Sequence, residues 1–146
     1  MKLQNFKTAF STLARVETSP LQLNPSFTLH VTAINANSQQ YLKQQKEFIK
    51  ANLDHQLIKD NAQFNKDLTS RTITPDIQSY LANVVISGWD LKDDGGKDQP
   101  FSVPECLELL NLPDGIGNSV AVAVIDHALN AALYTVDWEQ VVVKNS

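Results

Sequence analysis

Apolar side chains along this chain recur at two periods, and each change of period marks an element. Phe6, Ala9, Phe10 and Leu13 fall at i, i+3, i+4 and i+7. They form one stripe of a short opening helix that needs a partner surface, because so short a helix is marginal alone. The period then drops to two. Residues 14–20 (ARVETSP) and 27–34 (FTLHVTAI) are rich in Val, Thr, Phe and Ile and are separated by LQLNPS, which predicts a small antiparallel β pair. Phe27, Leu29, Val31 and Ala33 alternate with Thr28, His30 and Thr32, so the first set points inward.

From Asn37 the helical period returns. Asn37 and Gln40 fit a capping box, and Tyr41, Leu42, Phe48, Ile49, Leu53 and Leu57 recur at helical spacing to about Lys59. Residues 60–73 are polar around Phe64 and Leu68, and read as a short helix followed by a loop. Thr74-Pro75 is a helix start, after which Ile77, Tyr80, Leu81, Val84 and Val85 give the clearest amphipathic stripe in the chain, with Gly88 placed to end it. Trp89, the polar turn DDGGKD and the capping box Ser102-Val-Pro-Glu105 follow, predicting a helix, a tight reversal and a second helix through Leu110. Leu112-Pro-Asp-Gly-Ile-Gly117 ends that helix. From Val120 to Leu133 the apolar residues cover more than one stripe, as in a helix buried on two sides.

The fold class expected is α+β, predominantly α-helical: a small N-terminal antiparallel β element followed by a helical bundle. The 146 residues suit one domain. Residues 1–35 hold the short helix and β pair, residues 36–135 the helical region and residues 136–146 an apolar tail.

Charge narrows the partners. The net charge is -4 and the twelve Lys and Arg are scattered, whereas binding to a phosphate backbone needs cations gathered on one face; no nucleic-acid partner is expected. The N-terminal stretch interrupts its apolar residues with Gln4, Asn5, Lys7 and Thr8, unlike a signal peptide, and no run approaches a membrane span. A cytoplasmic protein with no membrane partner is the expectation.

The candidate chemistry weakens residue by residue. Asp90, Asp93, Asp94 and Asp98 surround Gly95 and Gly96, but a calcium loop starting at Asp90 has Lys92 at its third position and Phe101 where a bidentate Glu is required. A polar turn explains the stretch better, and no metal or cofactor is expected. The glycine pair fits neither phosphate-binding fingerprint. His30, His55 and His127 lie on separate elements and read as structural. Asp126 and His127 diverge by about 100° as helix neighbours. Cys106, the one cysteine, has no His partner in view and reads as a core residue. Trp89 reads as a plug where two elements meet, with a contact surface as the other reading. Val136, Trp138, Val141, Val142 and Val143 have little around them to cover them and form a candidate protein-contact surface.

The order of elements, with the joint ISGWDLKDDGGKDQPFS, resembles the tail assembly chaperones of long-tailed bacteriophages. Gly88, Trp89, Asp94, Gly95, Pro100, Phe101 and Ser102 match a joint that recurs in that family between two helices. The resemblance implies a non-enzymatic protein that binds the helical tape measure protein and keeps it soluble. It would self-associate along that client, be displaced as tail tube subunits polymerise, and be absent from the finished virion. The competing expectation is a small host-cell adaptor that binds one partner without holding a polymerising client.

Overall fold

The structure, a computed structural model, describes residues 16–135. The expected opening helix around Phe6 to Leu13 and the tail residues Val136, Trp138 and Val141 to Val143 lie outside the described residues.

Strands β1 (Thr18–Asn24) and β2 (Phe27–Thr32) form an antiparallel hairpin in which Leu21 faces Leu29 and Thr18 faces Thr32. The first strand therefore lies further along the chain than the residue types suggested, and LQLN belongs to the strand rather than to the turn. Leu21 and Leu23 alternate with exposed Gln22 and pack on the core. Pro20 is tolerated because β1 is an edge strand, where a missing N–H breaks no ladder bond. Asn24 closes the turn by accepting the Ser26 N–H at 2.8 Å. Leu29, Val31 and Ala33 are buried as the alternation predicted, and Thr32 joins them at 0% exposure.

Helix α1 (Gln39–Ala51) is capped by Ser38, one residue after the expected Asn37; its hydroxyl accepts the Tyr41 N–H at 3.2 Å. The helix stops well before Lys59. Asn52 turns its side-chain amide onto the Phe48 carbonyl at 2.9 Å, and the chain restarts as α2 (Gln56–Lys59), α3 (Asn61–Ser70) and α4 (Pro75–Tyr80). Each restart has its own cap: the His55 ring for α2, Asp60 for α3 and Thr74 for α4. Leu53, counted in the helical stripe, falls in the break and is 68% exposed.

The α4 stripe is buried in full, and Ile77, Tyr80, Leu81, Val84 and Val85 are all inaccessible to solvent. It does not end at Gly88. One wide π turn (Leu81–Val85) releases the chain into a third strand, β3 (Ile86–Leu91), which pairs antiparallel with β2. The sheet order is β1-β2-β3, so a strand from the middle of the chain completes a sheet that the residue pattern had confined to the N-terminal side. The protein is a mixed α+β fold, mostly helical.

Helix α5 (Val103–Leu110) starts at Ser102 as expected, and α6 (Ile116–Leu129) follows a corner held by left-handed Asp114 and Gly115. A 3-10 turn (Ala131–Tyr134) returns the chain to the sheet. The Tyr134 hydroxyl donates to the Val31 carbonyl at 3.0 Å, and the Ile34 N–H donates to the Ala128 carbonyl at 3.0 Å. Ala121, Val124, Ile125 and Ala128 face the core, whereas the expected apolar coverage on to Leu133 gives way to exposed side chains.

The centre of the core is aromatic. Tyr80 packs edge-on against Phe64, Phe48 and Tyr41, and His55 fills the gap among them. The two tyrosine hydroxyls bond each other, and Gln45 donates to that of Tyr80 at 3.0 Å. Burial pushes both phenols above their ordinary pKa, so the pair is a satisfied polar element within an apolar centre.

Candidate functional site

The joint that carries the family resemblance is built on a strand and not between two helices. Gly88 and Trp89 lie on β3, opposite His30 and Leu29. The expectation that Gly88 ends a helix is overturned by this pairing. The register shifts between His30 and Val31, where Ser87 is the extra residue, so Trp89 and Leu91 face the interior while Asp90 faces water. On that outer face Asp90 accepts from the His30 ring at 3.0 Å.

Trp89 is 9% exposed and sits edge-on between Phe27 and Phe101, with ring centroids at 5.4 and 5.0 Å. Its indole N–H donates to the Gln99 carbonyl at 3.0 Å. Phe101 comes from the far side of the polar turn, so the indole joins the strand to the segment that leads into α5. Ser102 then caps α5 by accepting the Glu105 N–H at 3.3 Å, and Pro100 precedes the Phe101 contact at an exposed position. Trp89 is thus the plug that its position suggested, though it locks a strand to a helix.

The acidic turn is engaged with itself. One Asp93 carboxylate oxygen accepts the Gly95 and Lys97 N–H groups, each at 2.9 Å, and Asp98 pairs with Lys92. Asp94 points to solvent. Among the described residues no three His, Cys, Asp or Glu side chains gather to hold a metal. Of the doubled glycines, Gly96 has the left-handed backbone, φ +79°, whereas Gly95, which matches the family pattern, does not. Nothing crowds a Cβ at Gly96, so Gly96→Ala is expected to cost about 1–2 kcal/mol through backbone strain alone. Gly95→Ala meets only ordinary contact limits. Urea unfolding of the two variants side by side checks this, and equal midpoints would refute it.

The histidines and the cysteine fall into structural roles. The His55 Nδ1 accepts the Leu57 N–H at 3.0 Å and its Nε2 donates to the Asp76 carbonyl at 2.8 Å. His127 meets the Ser19 hydroxyl at 3.0 Å, and burial lowers its pKa. Cys106 is fully buried, which pushes its thiol up to about 12; a thiol held in that state is a poor nucleophile.

Residue types alone did not locate the exposed apolar surface. Val16, Leu129 and Leu133 are 36–40% exposed, and Leu129 lines a cleft of about 300 Å³ together with Ala33, Ile34, Asn35, Ala128, Ala131, Tyr134 and Thr135. Leu112 and Ile116 form a second exposed pair at the α5–α6 corner. The only signal in the sequence was that the apolar residues near α6 exceeded what one buried face needs.

No family model matches the chain, and neither the curated proteins nor the solved structures contain a match to it.

Proposed function

We propose that this protein is a non-enzymatic assembly chaperone of the kind that serves long-tailed phage tails, holding a tape measure protein in the host cytoplasm until tail tube subunits displace it. The observation that supports this reading is the joint: Gly88, Trp89, Asp94, Gly95, Pro100, Phe101 and Ser102, the residues shared with that family, occupy one strand–turn–helix unit closed by the Trp89 contacts. The exposed apolar side chains at the α6 ends and at the α5–α6 corner supply the kind of surface that covers an apolar helix reversibly. Holding is then multivalent. Several copies, associating weakly along one long client, give many modest contacts whose sum is strong through effective concentration, and which tube subunits replace one by one. No nucleotide is needed for release.

The experiment is co-expression with a candidate tape measure protein. The client is expected to stay soluble and to co-purify with the chain, and deletion of residues 136–143 is expected to reduce co-purification while the remaining domain stays folded by circular dichroism. An insoluble client beside a folded, monodisperse chain would overturn the holding function in favour of a single-partner adaptor.

A further inference from the structure

We propose that the exposed side of α1 is a contact for a second copy of this chain, whose α5 it receives along stripes of opposite charge. Lys43, Lys46 and Lys50 stand at i, i+3 and i+7, one stripe of α1, and all three are exposed. Leu42 lies beside them, one turn before Lys46, and is 45% exposed. Among the described residues none of the three ammonium groups joins an ion pair. Glu47 flanks the stripe on the side away from Leu42 and leaves the face net positive.

Helix α5 carries the opposite pattern. Glu105 and Glu108 are its only charged residues, both exposed and, among the described residues, outside any ion pair. Leu112 follows Glu108 by four residues, its N–H bonded to the Leu109 carbonyl at 3.3 Å, and is 42% exposed. Because both stripes are exposed, they do not cover each other within one chain.

Complementarity chooses the occupant. With the two helices laid antiparallel, Leu112 faces Leu42, Glu108 faces Lys46 and Glu105 faces Lys50. The rise is about 6 Å from Lys46 to Lys50 and about 4.5 Å from Glu105 to Glu108, a difference that the flexible lysine stem absorbs. Any other partner would have to bring an acidic stripe that ends in an apolar side chain, and this chain already carries one. Copies with a net charge of -4 repel one another at long range, so the one locally attractive pairing sets how they approach. Two short helix faces bury less than a standard interface, which makes the contact weak and salt-sensitive.

The inference rests on the reading that several copies act together on one client, and it supplies the contact between them. Leu112 then serves the neighbouring copy, and the exposed side chains at the α6 ends are left to the client.

The test is sedimentation velocity of the full-length chain, without client, across a range of concentrations. The parent is expected to associate reversibly, and less so as salt is raised. Lys46→Glu and Glu108→Lys should each weaken association about tenfold or more, with melting temperatures unchanged because both residues are exposed. Lys46→Glu and Glu108→Lys combined in one chain should restore it, since the reversed charges again oppose each other across the contact. A parent that stays monomeric at every concentration would overturn the proposal. So would association that neither reversal weakens, or a combined variant no better than the single ones, since the two stripes would then have other partners. Co-expression with a candidate tape measure protein separates this from the holding function: a monomeric parent that still keeps the client soluble removes the contact between copies and leaves holding in place.

Discussion

Replacing Trp89 with alanine is expected to destabilise the protein by about 3–5 kcal/mol, the range found when a buried aromatic side chain is removed. The reason is local geometry. The indole is 9% exposed, wedged between Phe27 from β2 and Phe101 from the far side of the acidic turn. A loss of that size moves a urea midpoint by at least about 1 M at typical m-values. Trp89→Phe keeps most of the packing but removes the N–H that bonds the Gln99 carbonyl at 3.0 Å, and should cost nearer 1 kcal/mol. If Trp89→Ala left the midpoint unchanged, the indole would have to lie outside the core in solution.

A second large effect is expected at Gly117, which belongs to no motif. A Cβ there would stand 2.3 Å from the Leu110 carbonyl oxygen, 2.5 Å from the carbon of that carbonyl and 2.7 Å from the Leu112 nitrogen. Backbone atoms cannot rotate aside as a side chain can, so α6 would have to lift off the end of α5. Alanine is the better helix former by about 1 kcal/mol, yet the steric conflict decides the sign. Gly117→Ala should lose about 3 kcal/mol, the upper part of the range for overpacking, and lower the melting temperature by about 6–12 °C. Gly88→Ala is the control. Its nearest contact is the His30 Cδ2 at 3.9 Å, ordinary van der Waals spacing, so this residue of the shared pattern should tolerate the change that Gly117 does not. A melting temperature for Gly117→Ala equal to that of the parent would mean that α5 and α6 do not approach so closely.

The contrast between these glycines also bears on how the joint was recognised. Gly88 and Gly95 carry the resemblance, but the positions where a side chain is excluded or strained are Gly117, Gly96 and Gly115. Spacing in a sequence shows that a turn is required somewhere within a few residues. Which glycine takes the left-handed turn depends on where Asp93 places its carboxylate, and that is a property of the folded loop.

Where local chemistry was decisive, the sequence was enough. Thr74-Pro75 and Ser102-x-x-Glu105 start helices because a side-chain oxygen meets a free N–H within three residues, a bond that needs no distant partner. The buried stripe from Ile77 to Val85 and the inward set Leu29, Val31 and Ala33 were legible because burial follows period. Residues 86–91 were different. ISGWDL has too few residues to display a period, and its Gly-Trp pair reads equally well as a helix end. It becomes a strand because β2 offers an open edge to which it can bond, and because a π turn aims it there. The same holds for the break at Asn52 and for the cleft beside Tyr134. The helical stripe through Leu53 and Leu57 was plausible locally, but His55 is worth more inside the aromatic centre, bonded to Leu57 and Asp76, than on a continued helix. Sequence determined the caps at Thr74 and Ser102, the stripe from Ile77 to Val85 and the mostly helical α+β class, since these arise among neighbours along the chain. Tertiary structure decided which edge is paired, where helices break and which apolar side chains remain uncovered, because each depends on partners that the chain brings together only by folding.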